Sequence, residues 1–110
     1  MATTPAAWLE RLRHDLVKRL LWPARDRRDM GGTPAPGELV PALVDDEGRP
    51  IAAPALWTAL AAEAPAGAAL APFERALDAA LAAAADGDVA GVLALEPAFA
   101  ELARSLERSA

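Results

Sequence analysis

Four residue types are missing from this sequence of 110 residues, namely cysteine, asparagine, glutamine and tyrosine. Because there is no cysteine, a disulfide framework and thiol chemistry are excluded. Histidine occurs once, as His14, so a histidine-rich metal site is excluded as well. The strand-favouring β-branched and aromatic residues are scarce, whereas the chain has 30 alanines and 16 leucines. The composition therefore predicts a mainly α-helical protein.

Long hydrophobic runs are absent too. The longest uncharged run, residues 50–62, has 13 residues, which is too short to span a bilayer. Residues 1–5 lack the positive and apolar regions of a signal peptide. We therefore expect a cytoplasmic protein with no membrane partner, folded as a single helical domain over residues 1–110.

Charge is distributed unevenly along the chain, whose net charge is −5. Residues 1–29 carry seven basic and four acidic side chains, whereas residues 30–110 carry four basic and twelve acidic ones. The basic part can face the acidic part within the domain, or it can face an acidic partner. The sequence leaves both alternatives open.

The first helix is predicted from capping residues and apolar spacing. Thr4 suits the N-cap, and Pro5 suits the first helical position, where a missing N–H costs nothing. An apolar stripe of about 120° follows at helical spacing, formed by Trp8, Leu9, Leu12, Leu16 and Leu20. We expect this helix to end at Trp22, because Pro23 follows, and residues 24–29 to form a charged hinge.

Two further apolar residues of this helix, Val17 and Leu21, fall outside the stripe and widen the apolar arc to about 220°. A helix of this kind either packs on two sides within its own domain or pairs with a partner. A homodimer through the first helix is therefore one alternative. On the polar side, Asp15 and Arg19 have the spacing of a favourable i,i+4 ion pair.

Residues 30–52 interrupt the helical pattern. Glycine and proline recur from Gly31 to Gly37, which excludes a helix there. Two short apolar runs then flank a turn sequence at residues 45–48, in which Gly48 can supply a positive φ. We predict a short hairpin or irregular insert, and the prolines of both runs limit any ladder to a few residues.

Proline and glycine divide the rest of the chain into helices. Pro54 opens one to about residue 64, and Pro72 opens another to about residue 85. Residues 86–88 form a helix stop and a new N-cap, and Pro97 either kinks the fourth helix or starts a fifth. The expected fold class is mainly α: a small bundle of four or five helices with a short hairpin or irregular insert at about 30–52.

The large apolar residues at helical spacing in these segments form a predicted core. We expect the following side chains to be mostly buried: Trp8, Leu12, Leu16, Leu20, Trp57, Leu60, Phe73, Leu77, Leu81, Phe99 and Leu102.

Candidate catalytic and metal sites are weak. His14 has acidic neighbours, but no serine or cysteine nucleophile lies near it in sequence. Residues 86–97 fail the calcium-loop pattern at positions 5 and 12, so capping explains the aspartates and close packing explains Gly91. The acidic turn at 45–47 lacks visible partners for magnesium, and the glycines match no nucleotide-binding fingerprint. We predict no catalytic residues, no metal and no cofactor.

The basic segment carries most of the functional information. Arginines interleaved with aspartates suit a protein surface better than a polyphosphate, and arginine, tryptophan and methionine are enriched at interfaces. We predict these partner-binding residues: Arg19, Trp22, Arg25, Arg27, Arg28 and Met30.

The sequence thus predicts a non-catalytic accessory or adaptor protein. It would bind another protein through residues 8–28 and the adjoining proline- and glycine-rich insert. The alternative is a small nucleic-acid-associated regulator that uses the same arginine cluster. An acidic chain opposes that alternative, because its net charge of −5 repels polyanions.

Overall fold

The computed structural model describes residues 4–109, which form helices and one two-stranded hairpin. The prediction of a small, mainly α-helical bundle with a hairpin insert is confirmed. In chain order the elements are α1 (Pro5–Leu12), a π-helical stretch (Arg13–Val17), α2 (Lys18–Met30), β1 (Leu43–Val44), β2 (Pro50–Ile51), α3 (Ala53–Ala62), α4 (Leu70–Asp86), α5 (Val89–Leu93) and α6 (Leu95–Ser109).

The first three elements follow one another without a break, and we call them together the N-terminal helix. It begins as predicted, since the Thr4 hydroxyl accepts a hydrogen bond from the Ala7 N–H at 3.1 Å and Pro5 occupies the first turn. It ends at Gly31, which has a φ of 78° and donates its N–H to the Arg27 carbonyl at 2.8 Å.

The prediction that Pro23 ends this helix is wrong. The helix continues through Pro23 to Met30, so residues 24–29 are helical and do not form a hinge. A proline inside a helix costs about 3 kcal/mol or more, because it removes a hydrogen bond and crowds the preceding turn. Leu21 and Ala24 are buried on either side of it, and this tertiary packing outweighs the local preference.

The π-helical stretch accounts for the burial of Leu21, and Val17, which lies within the stretch, is buried as well. It adds one residue to a turn, as the hydrogen bond from the Lys18 N–H to the Arg13 carbonyl shows. One extra residue sets every later side chain back by about 100°. Counted in one direction from Trp8, Leu21 would stand at about 220° on an unbroken α-helix, outside the apolar stripe of about 120°; after the shift it stands at about 120°, at the edge of the stripe. The predicted two-sided apolar helix does not form, because one side carries the whole apolar set.

The helices enclose one hydrophobic core, in which nine of the eleven predicted residues are buried. The other two, Leu81 and Phe99, are partly buried and pack against it. The Trp8 indole N–H donates to the Leu60 carbonyl at 2.8 Å, which ties the N-terminal helix to the end of α3. Burial of Val17 and Leu21 in the same core leaves the predicted homodimer without the apolar face that suggested it.

The insert contains the predicted hairpin. Leu43 pairs with Ile51 and Val44 with Pro50 in an antiparallel ladder of two residues per strand. Gly48 has a φ of 81°, as the turn sequence requires. The Asp45 carboxylate accepts the N–H groups of residues 47 and 49, which closes the turn.

In the C-terminal half, the helices begin and end close to the positions that glycine, aspartate and proline predicted. Gly87 ends α4 with a φ of 72°, and the Asp88 carboxylate caps α5 by accepting the Gly91 N–H at 3.0 Å. Pro97 lies in the first turn of α6, so a separate helix begins there. Helix α5 packs on α2 and α4, while α4 packs on α6. Among residues 4–109, no helix has the length and apolar character needed to cross a membrane.

Candidate functional site

All six predicted partner-binding residues lie on α2, but they do not form one patch. Arg25 and Arg27 are two residues apart, so their side chains leave the helix about 200° apart. Arg25 reaches Glu96 at the start of α6, and Arg27 reaches Glu38 in the insert. Among the residues that the structure describes, the Arg28 side chain has one ionic partner, its neighbour Asp29, at 3.2 Å between Nε and Oδ1. The structure therefore assigns these arginines different surroundings.

Arg27 is occupied within the chain. Its Nε donates to Glu38 Oε2 at 2.8 Å, its Nη2 donates to Glu38 Oε1, and its Nη1 donates to the Gly31 carbonyl at 3.3 Å. Both side chains of the pair are about three-quarters buried, at 24% and 27% exposed. This two-point contact fixes the insert against α2, next to the buried Leu39. Arg27 thus positions the insert.

The hydrogen bond from Arg27 lowers the pKa of the Glu38 carboxyl below its ordinary value. Between the pKa of Glu38 in the folded protein and its ordinary value, the unfolded chain therefore binds more protons than the folded one. The contribution of the pair to the free energy of unfolding is present above about pH 4.3, the ordinary glutamate pKa, and is lost at lower pH. We expect Glu38→Gln to lower the melting temperature at neutral pH, and the difference from wild type to shrink as the pH falls through that value. Thermal unfolding at a series of pH values measures this difference.

Glu74→Gln serves as the matched control for this series, because Glu74 is exposed on α4. Its melting temperature should follow that of wild type at every pH. A Glu38→Gln deficit that stays constant down to pH 2 would show that the charge of Glu38 plays no part.

A groove lies between the N-terminal helix and α6. Its volume is about 480 Å³. One wall comes from the π-helical stretch and α2, and the other from the first turns of α6. The lining residues are Arg13, Val17, Lys18, Leu21, Trp22, Arg25, Glu96, Phe99 and Ala100. A smaller hollow of about 210 Å³ adjoins it on the outer side, where Arg19 and His14 join Lys18 and Trp22.

The groove is predominantly basic. Three cations and a single carboxylate line it, and that carboxylate, Glu96, contacts Arg25 at 2.5 Å. The ammonium group of Lys18 stands 4.6 Å from the centre of the Trp22 ring, a cation–π contact. Across residues 4–109, neither Arg13 nor Lys18 has an ion pair or hydrogen bond from its side chain. Trp22 itself is 54% exposed.

Arg19 also has no carboxylate partner among the described residues. The predicted Asp15–Arg19 pair is absent, because Asp15 contacts Arg11 at 3.6 Å and His14 at 3.2 Å instead. We call Arg13, Lys18 and Arg19, together with Trp22, the basic face. It overlaps the prediction at Arg19 and Trp22 only, and it lies nearer the start of the helix.

The π-helical stretch creates this face. On a regular α-helix, Arg13 and Lys18 are five residues apart and diverge by about 140°. The π-type hydrogen bond between their backbones aligns them on one side. The sequence placed Arg13 in the arginine cluster but not among the predicted partner-binding residues, since a five-residue spacing does not indicate neighbours on an α-helix. The four-residue spacing of Lys18 and Trp22 was a usable signal.

The remaining candidates have structural roles. His14 is exposed in the smaller hollow, and within residues 4–109 the one hydrogen-bonding contact of its ring is with the Asp15 carboxylate. Asp45 closes the hairpin turn, and two hydrogen bonds from backbone N–H groups and one from the Arg49 side chain lower its pKa. Asp88 caps α5. Within the described residues, no three histidine, aspartate or glutamate side chains are arranged to hold a metal ion.

Met30 is the most exposed large apolar residue of the predicted site, at 79%. It lies at the end of α2, beside Pro23 and Asp26 and away from the groove lining. The groove and the basic face are therefore the strongest candidate site.

Neither a protein-family model, nor a curated protein, nor a solved structure matches this chain.

Proposed function

We propose that this protein is a non-catalytic adaptor that binds an acidic segment of another protein through the groove and the basic face. The observation that carries the proposal is that three cations, Arg13, Lys18 and Arg19, have no carboxylate partner within residues 4–109 and lie beside the exposed ring of Trp22. Arginine and tryptophan are the side chains that most often dominate the energy of protein interfaces. Cytoplasmic location and homodimerisation stay predictions.

Charge supports a short acidic segment over a nucleic acid. The chain carries a net charge of −5, and residues 30–110 alone carry twelve acidic side chains. A long polyanion would extend beyond the basic face and meet those carboxylates, whereas screening limits a short segment to charges within about 8 Å. Arg13, Lys18 and Arg19 thus form a local attraction for an acidic segment on a surface that otherwise repels it.

We assign the insert a smaller part in the proposed interface than the sequence predicted. Its Glu38 is held by Arg27 on the side of α2 away from the groove, and its Leu39 is buried. We therefore centre the proposed interface on the π-helical stretch, α2 and the start of α6, without Arg27.

The test uses purified protein and a short fluorescein-labelled peptide rich in glutamate and leucine. Replacing Arg13, Lys18 and Arg19 together by alanine is expected to weaken binding about tenfold or more, because each removed cation can make a charge-assisted hydrogen bond. Fluorescence anisotropy measures the affinity. These side chains are not part of the core, so the melting temperature should stay close to that of wild type.

A matched control has the same change in net charge at other places. Arg75, Arg104 and Arg108 lie on α4 and α6, outside the groove lining, and their joint replacement by alanine should leave peptide affinity within about twofold. Absence of peptide binding by wild type would refute the proposal. Binding of a labelled single-stranded oligonucleotide with a steep salt dependence, but not of the peptide, would favour the nucleic-acid alternative.

A further inference from the structure

We infer that Glu96 is an internal competitor at this groove: its carboxylate occupies the place on Arg25 that a partner carboxylate takes on docking. This inference rests on the proposed function and names the chemistry of the partner segment. It begins from the position of Glu96, which is the one carboxylate among the cations that line the groove.

The contact of Glu96 with Arg25 is of the kind that exchanges readily. Among the described residues, one atom, Arg25 Nη2, forms an ion pair with it, at 2.5 Å, so the two groups meet at one point. A guanidinium has five N–H donors, and the rest of those of Arg25 have no acceptor in residues 4–109. Both side chains are exposed to water, at 35% and 48%. Exposed one-point pairs of this kind contribute little to stability.

The pair of Arg27 and Glu38 gives a contrast on the same helix. Two guanidinium nitrogens of Arg27 contact two oxygens of Glu38, and both side chains are more buried than those of the Arg25 pair. That pair has the geometry of a fixed structural link. The difference indicates that Arg25 is held loosely enough to change partners.

Glu96 also has a favourable alternative place. It is the second residue of α6, and the N-terminal turn of a helix carries partial positive charge from its free N–H groups. A carboxylate there stays favourable after it leaves Arg25. This interaction is present before and after displacement, so displacing Glu96 costs only its contact with Arg25.

The groove also determines what accompanies the incoming carboxylate. Phe99 and Ala100 come three and four residues after Glu96, so all three residues share the face of α6 that borders the groove. On the opposite wall Val17 and Leu21 are only 2% and 3% exposed, so Trp22, which is 54% exposed, supplies the apolar surface there. A segment whose carboxylate reaches Arg25 would place an adjacent apolar side chain between these walls. The partner segment is therefore an acidic peptide in which carboxylates alternate with apolar side chains.

The test compares Glu96→Gln with wild type, using the same labelled peptide of glutamate and leucine. Glutamine keeps the size of the side chain and removes its charge, so it competes less for Arg25. We expect peptide binding about two- to fivefold tighter, which is the range that exposed ion pairs supply. A second peptide, with glutamine in place of glutamate, should show no such gain.

Glu107→Gln is the matched control, because Glu107 lies on the same helix, is exposed and is not part of the groove lining. A gain in that variant equal to the gain in Glu96→Gln would overturn the inference, since net charge would then be the cause. Equal binding by wild type and Glu96→Gln would overturn it while leaving the proposed function intact. If neither protein binds the peptide, or if only a single-stranded oligonucleotide gains affinity, both the inference and the proposed function fail.

Discussion

Replacement of Leu16 by alanine is expected to lower the free energy of unfolding by about 2–5 kcal/mol. Leu16 is fully buried in the π-helical stretch, so the variant loses the transfer free energy of the removed carbons and leaves a cavity. For a domain of this length, the melting temperature should fall by about 10–20 °C. Differential scanning calorimetry measures the shift.

Val40→Ala is the control for this prediction, because Val40 is half exposed in the insert. It should change the melting temperature by only a few degrees, as surface substitutions outside packed contacts do. An unchanged melting temperature in Leu16→Ala would show that Leu16 is not in the packed core of the protein in solution.

The second large effect is expected at Gly91, where alanine should destabilise the protein by about 1–3 kcal/mol. A Cβ atom at this position would lie 2.6 Å from the Ala83 Cβ and 2.6 Å from Asp88 Oδ2. Relief of the clash requires α5 to move away from α4 or Asp88 to give up its cap. Alanine is otherwise the better helix former by about 1 kcal/mol, so a net loss of stability isolates the steric cause.

A double-mutant cycle tests this cause directly. Ala83→Gly removes the methyl group that an added Cβ would meet, so the cost of Gly91→Ala should be smaller in the Ala83→Gly background than in wild type. Urea denaturation of the four proteins gives the coupling free energy. Purely additive effects, or a stabilised Gly91→Ala variant, would contradict the close approach of the two helices.

Local signals predicted most of the fold. Thr4, Gly48, Gly87 and Asp88 act at the positions where their capping and turn chemistry placed them, because those preferences depend on neighbouring residues only. Pro23 was interpreted by the same local rules, and the helix end predicted from it was wrong. Its effect depends on how much apolar surface lies beyond it, and no local rule contains that information.

The candidate site was harder to predict, because it depends on pairing between distant parts of the chain. Arg25 and Arg27 look alike in sequence, yet one meets Glu96 across the groove and the other is fixed by Glu38. Arg13 was not among the predicted partner-binding residues, because its alignment with Lys18 requires the π-type hydrogen bond. The composition did predict a basic N-terminal part, and the three-dimensional structure sorts its arginines into occupied and unpaired ones.

The π-helical stretch also makes the basic face a property of the folded protein. The apolar residues before and after the π-helical stretch each follow the helical spacing, but the second set is offset by one residue. Packing of both sets on the core stabilises this offset. In a free peptide of the same residues, no core packing would stabilise the π-helical turn. The peptide would favour a regular α-helix, because π-helices are rare. Arg13 would then turn away from Lys18 and Trp22. The recognition that we propose for this surface therefore requires the folded domain and cannot be transferred with the segment alone.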